Sequence, residues 1–121
     1  MKKILLLNVI FIVCSSFLFS DNIKAKVEVK KENSLFVFKA ICTNTTAKKC
    51  LLNYSFVLEK EGKSGNSINR QSGEVKLKPN DSVTCSVVKL GLVTGDSCKI
   101  ALKLYKGNRC IVEENKLYIA K

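Results

Sequence analysis

Residues 62–81 read GKSGNSINRQSGEVKLKPND, and their reading decides the fold. Gly62, Lys63, Ser64 and Gly65 make a glycine-bounded turn that leads into a polar segment, 66–72, suited to an edge strand or a long connection. From Glu74 to Lys78 the chain alternates, with Val75 and Leu77 on one side and Lys76 and Lys78 on the other. That period of two is the mark of a half-buried strand. Pro79 has no amide hydrogen for a strand ladder, so it ends the run, and Asn80 and Asp81 complete the turn.

The same period extends in both directions. Upstream, 24–30 alternates strictly, with Ala25, Val27 and Val29 inward and lysines or Glu28 outward. Glu32 and Asn33 turn the chain into 34–43, where Phe36, Phe38, Ala40 and Cys42 share a face. After a polar loop, 50–61 carries Cys50, Leu52, Tyr54, Phe56 and Leu58 on one side; Val57 is the apolar exception among Asn53, Ser55 and Glu59 on the other. Downstream, the alternation slips in 82–92, between Val83, Cys85 and Val87 and then Val88, Leu90 and Leu92. A bulge near Val87 and Val88, or burial on both faces, would accommodate this. Thr94, Gly95 and Asp96 read as a hairpin turn into a strand with Cys98, Ile100, Leu102 and Leu104 inward. Gly107 and Asn108 form a two-residue hairpin loop. The last strand, from 109 onward, is expected to break near 113–115.

About seven short strands at spacings near ten residues, with no amphipathic helix, predict an all-β, immunoglobulin-like antiparallel β-sandwich. Residues 1–20 read as a signal peptide: Lys2 and Lys3 precede an apolar run too short to span a bilayer, and cleavage falls between 16 and 25. A lipid anchor on Cys14 is the weaker alternative, since Val13 stands where a lipobox has a small residue. Residues 21–121 then form a single domain. Without Lys2 and Lys3 there remain 19 basic against 10 acidic residues, a net charge of +9. Such a surface suits an acidic partner. Export and the presence of only Arg70 and Arg109 argue against nucleic acid. An exported monomer without stable membrane insertion is expected.

Enzymatic chemistry finds little support. The chain has no histidine, and its ten carboxylates are scattered over outer faces and turns, without means of pKa tuning. Gly62-Lys63-Ser64 echoes the end of a phosphate loop, but Val57 stands where the first glycine belongs. Five cysteines follow the signal, at spacings too wide for a metal site or a Cys-x-x-Cys redox pair. An odd count leaves at least one thiol unpaired within the chain. Candidate disulfides are Cys42–Cys50, closing a short loop, and Cys42–Cys98, crossing between sheets. No cofactor is expected. The outward Lys76, Lys78, Lys99 and Lys103, continued by Tyr105, would form a basic stripe if their strands share a sheet. Such a stripe either serves solubility or steers an acidic client.

From Tyr54 onward the order of features resembles the CsgH-type curli assembly chaperones: Lys63-Ser64-Gly65, a polar Asn/Ser stretch, Gln71-Ser72-Gly73, an alternating strand, Thr94-Gly95-Asp96, and a Gly-Asn turn. The family-signature residues are therefore Gly62, Ser64, Gly65, Gln71, Ser72 and Gly73. The resemblance implies a periplasmic chaperone, acting without cofactor, that binds acidic curlin-type amyloid subunits and prevents premature fibre formation before secretion. The similar CsgC-type proteins have a Cys-x-Cys pair that is missing here, so no redox role carries over. The competing expectation is a disulfide-containing structural or adhesin-like surface module.

Overall fold

The computed structural model describes residues 23–121. The expected signal peptide, residues 1–20, and the alternative lipid anchor at Cys14 lie outside the described residues. Seven strands follow in chain order: β1 Ile23–Glu32, β2 Leu35–Asn44, β3 Cys50–Glu61, β4 Ser67–Leu77, β5 Asp81–Leu90, β6 Ser97–Lys106 and β7 Arg109–Ile119. They form two antiparallel sheets, β1-β2-β5 and β4-β3-β6-β7. The architecture is an immunoglobulin-like β-sandwich in which β4 stays beside β3, giving a three-on-four division.

Alternation decides which side chains meet between the sheets. Phe38 of β2, Leu52, Phe56 and Leu58 of β3, Leu77 of β4, and Leu102 and Leu104 of β6 are completely or almost completely buried. Tyr118 of β7 completes one end of this core, with its ring centroid 5.8 Å from that of Phe36 and 6.0 Å from that of Phe38. Between the open sides of the sheets, Lys116 Nζ donates to the Val27 carbonyl at 3.4 Å. Asn33 and Gly107 take the left-handed conformation that tight hairpin turns require, with φ of 57° and 64°.

Three local expectations change. The 94–96 turn is not a hairpin: β5 pairs with β2, whereas β6 pairs with β3 and β7, so this connection crosses from one sheet to the other. The slip in β5 lies earlier than expected. Ala40 pairs with Ser86 and Ile41 with Thr84, which leaves Cys85 as the extra residue of a bulge. Cys85, Ser86 and Val88 thereby all turn inward, and Val87 is exposed. Finally, β7 runs unbroken through 113–115. Its irregularity is opposite Leu104 and Tyr105, which pair with Val112 and Cys110 and leave Ile111 extra.

Asn44, at the end of β2, is fully buried and tightly bonded. Its amide nitrogen donates to the carbonyls of Lys48 at 2.8 Å and Lys78 at 3.1 Å; its oxygen accepts from the Thr46 amide and hydroxyl. The Asn44-Thr45-Thr46 triplet, a glycosylation sequon in form, is thus spent on pinning the β2–β3 loop to the end of β4. A buried amide bonded this way keeps its desolvation cost covered.

Candidate functional site

The outer face of the four-stranded sheet can be built row by row from the register. One row runs Ile68, Glu59, Lys99, Leu117; the next Arg70, Val57, Ala101, Asn115; the third Ser72, Ser55, Lys103, Glu113. Over β3, β6 and β7 the small Ala101 and half-buried Val57 lie lower than their longer neighbours, and a concavity of about 650 Å³ opens between them. Lys99, Lys103 and Tyr105 line it, together with Val57, Ala101 and Leu117. Leu117 is 59 % exposed, although it is a large apolar residue. The groove therefore offers an apolar floor and side with two ammonium groups and a phenol, a combination suited to an extended peptide.

Three of the five expected binding residues are brought together here; Lys76 and Lys78 are not. Both belong to the same side of β4, but Lys76 pairs with Leu51, four positions along the strand from the Ser72–Ser55–Lys103 row. At roughly 3.3 Å per residue this is about 13 Å, with β3 in between. Lys78 follows the end of β4. A continuous lysine stripe does not exist, because the two strands carrying it are not neighbours. Moreover, Lys99 stands opposite Glu59, and Lys103 opposite Glu113, so acid and base balance across this face. The apolar lining was legible only as an anomaly: Val57 broke the polar alternation of β3.

Positive charge concentrates on the other sheet. Its outer rows are Lys24, Thr43, Ser82; Lys26, Ile41, Thr84; Glu28, Lys39, Val87; and Lys30, Val37, Lys89. Five lysines thus share these rows with Glu28, which is bridged to Lys26 at 3.2 Å, and the next row adds Glu32 opposite the exposed Leu35. Val37 is only 3 % exposed despite its outward parity, in a row between Lys30 and Lys89.

The family-signature residues serve architecture. Asp96 is fully buried, and its carboxylate accepts hydrogen bonds from the Ser64 hydroxyl, from the Val93 amide at 3.0 Å and from the Ser64 amide at 3.5 Å. These donors, led by the Ser64 hydroxyl, hold its carboxyl below the ordinary value of 3.8. Gly62, at φ 148°, leaves room for that carboxylate: a Cβ there would lie 2.1 Å from Asp96 Oδ1. Asp96 is also tied through its backbone, since its carbonyl accepts from the Ala120 amide at 2.9 Å, while the Ala120 carbonyl accepts from Gly95. The β3–β4 turn, the cross-sheet loop and the C-terminal end are thus clasped at one point. Gly65 closes the turn by donating to the Gly62 carbonyl at 3.0 Å. Gln71 points between the sheets and accepts from the Ser86 hydroxyl of β5. Gly73 makes room for the Tyr54 ring, which a Cβ would approach to 3.2 Å. Of the set, Ser72 alone is on the outer face, in the Lys103 row.

The cysteines also depart from expectation. All five described cysteines are free thiols, and neither Cys42–Cys50 nor Cys42–Cys98 is joined. Cys98 pairs with Tyr118, at the Phe36 and Phe38 end of the core, whereas Cys42 is four residues beyond Phe38, roughly 13 Å along β2. Cys50 starts β3 in the opposite sheet. The sulfur beside Cys42 is that of Cys85, at 3.1 Å. Burial pushes the Cys98 thiol up to about 11, so it stays protonated and inert at neutral pH. Among the described residues no cluster of three or more Cys, Asp or Glu could hold a metal ion. The Gly62-Lys63-Ser64 segment joins two strands of one sheet, without the helix that a phosphate loop opens.

This fold defines a small two-sheet β-sandwich domain, and comparison with known proteins gives its lineage. The family model of the thin aggregative fimbriae synthesis protein, Tafi-CsgC, matches residues 18–115. The chain belongs to this family and is a curli-associated protein of the CsgC/CsgH type. Among solved structures it is similar to the Escherichia coli curli protein CsgC in a SeCys form, at 17 % identity and a TM-score of 0.63, covering 79 % of this chain and 97 % of that one. It is equally similar to CsgH of R. palustris, solved in solution, at 18 % identity and a TM-score of 0.63, covering 77 % and 89 %. No curated protein sequence matches. Family membership supports a role in curli assembly, in a family of fimbriae synthesis proteins rather than of enzymes.

Proposed function

We propose that the protein is a periplasmic chaperone that binds curlin-type amyloid subunits and delays their fibre formation before secretion, with the groove over β3, β6 and β7 as the contact. The observation that carries this reading is the convergence of Lys99, Lys103 and Tyr105 on an apolar concavity, in a chain of the curli family. An amyloid subunit presents extended segments whose backbone and side chains template further growth. A segment held along the groove leaves its apolar side chains against Val57 and Leu117, its acidic ones near Lys99 and Lys103, and its own edges out of reach of another subunit. The lysine-rich face of β1-β2-β5 attracts an acidic subunit from a distance and keeps the complex soluble. Lys76 and Lys78 extend the positive field at the end of β4 and are secondary contacts.

Neither nucleotide nor cofactor enters this mechanism: binding to early assemblies alone blocks the addition of further subunits, so a low molar ratio suffices. The test is fibre formation by a purified curlin-type subunit with the chain added at low molar ratio. The lag should lengthen, and raised salt should weaken the effect because screening shortens the reach of the lysines. An unchanged lag refutes the proposal.

A further inference from the structure

Cys42 and Cys85 sit on neighbouring strands, β2 and β5, with their Sγ atoms 3.1 Å apart. Simple alternation would not bring them together. Cys42 pairs with Val83, and a diagonal neighbour two residues along an antiparallel partner is roughly 7–8 Å away. The bulge alters this: as the extra residue between Thr84 and Ser86, Cys85 turns inward and its sulfur meets that of Cys42. The remaining contact of Cys85 Sγ is the Ala40 carbonyl, at 3.4 Å. Cys42 is completely buried, whereas Cys85 is partly accessible from the β5 edge of the sheet.

We propose that Cys42 and Cys85 form an oxidisable pair, which a small-molecule disulfide or the disulfide of a thiol oxidoreductase converts into a cross-strand bridge between β2 and β5. Cys85, the accessible sulfur, attacks as thiolate and forms a mixed disulfide, releasing one thiol of the oxidant. Cys42 then gives up its proton and attacks Cys85 Sγ; the Sγ–Sγ bond forms and the second thiol leaves. Two protein thiols are oxidised, one external disulfide is reduced, and the two protons end on the two released thiols. A bond length near 2.05 Å asks the sulfurs to close by roughly 1 Å, within reach of small side-chain rotations. The division of labour agrees with the local electrostatics. The hydrogen bond between the two sulfurs holds the Cys85 thiol below its ordinary range against the opposing effect of burial, and the same contact with burial pushes Cys42 up. The oxidising compartment that an exported chain enters supplies such oxidants. The inference is independent of the client and of the groove.

The experiment uses the full chain, purified from an exporting host, reduced, and incubated with oxidised glutathione. After quenching with N-ethylmaleimide in denaturant and digestion, mass spectrometry should find one cross-linked peptide pair, Cys42 to Cys85, with the buried Cys98 recovered alkylated and Cys50 and the exposed Cys110 alkylated or carrying glutathione. In Cys42→Ala, glutathione should remain on Cys85 as a mixed disulfide; in Cys85→Ser, Cys42 should carry no adduct. Recovery of both Cys42 and Cys85 as alkylated thiols, or a bridge from either to another cysteine, overturns the proposal. The map of the unmodified chain decides this even if a variant fails to fold.

Discussion

The two outer faces of the sandwich are made by the same device, alternation along strands, yet they present different surfaces. On β1-β2-β5, five lysines stand with Glu28 and Glu32, and of the outward valines Val37 is buried while Val87 is exposed. On β4-β3-β6-β7, Arg70, Lys76, Lys99 and Lys103 are nearly matched by Glu59, Glu74 and Glu113, and a groove exposes Val57 and Leu117. The first face carries excess positive charge; the second combines a concavity with little net charge. Electrostatic attraction acts over a Debye length and mainly sets encounter rates, whereas desolvated apolar contact sets residence time. A client surface is therefore to be sought where an apolar concavity and individual cationic side chains meet, not where lysines are most frequent.

The comparison is most directly broken by damage to the groove. The double variant Lys103→Glu, Leu117→Asp removes one ammonium and the exposed apolar wall; the concentration needed to double the fibre lag should rise at least roughly tenfold, equivalent to about 1.4 kcal/mol. Next in size is the clasp shared by both faces. Asp96→Asn leaves the Ser64 and Val93 donors with a weaker acceptor, so the thermal midpoint at pH 7 should fall while any molecules that remain folded still extend the lag. Since the folded carboxyl lies below its ordinary 3.8, its stabilisation is complete above about pH 4 and is lost as pH falls through the folded value. Unfolding midpoints across pH 2 to 7 should therefore show the wild type approaching the variant at the acid end. A smaller effect is expected from Lys24→Gln, Lys26→Gln and Lys30→Gln together. Lag extension at high salt should be retained, with only a few-fold loss at low salt and a flatter salt dependence of the association rate. The smallest concerns packing: Gly73→Ala presses a methyl to 3.2 Å from the Tyr54 ring and should lower stability by roughly 1 kcal/mol, read by urea unfolding, without altering the groove.

Much of this was legible from the chain alone because alternation is a local signal. Phe36, Phe38, Ala40 and Cys42, and likewise Cys98, Ile100, Leu102 and Leu104, all take the inward positions their parity predicts. Strand pairing is not local, and there the reading failed. Ser82 through Leu92 looked like half of a hairpin because a glycine turn follows, but that connection crosses between the sheets and is held by the buried Asp96. The lysine stripe failed for the same reason: parity placed Lys76 and Lys103 on outer faces correctly, but only the register shows β3 between them and four residues of offset. Cysteine pairing depended on a single extra residue in β5, and one residue of register reverses which side chains face inward. The signature block was recognisable as a pattern, while its cause, a carboxylate clasp and a polar tie between sheets, needed Ser64 and Asp96 side by side.

The central claim, that the groove rather than the lysine-rich face contacts the client, is tested most directly by amide chemical-shift mapping. The ¹⁵N-labelled chain is titrated at moderate salt with a soluble peptide corresponding to one curlin repeat. The account predicts saturable shifts concentrated at Val57, Lys99, Ala101, Lys103, Tyr105 and Leu117. Shifts centred instead on Lys24, Lys26, Lys30, Lys39 and Lys89 would contradict it.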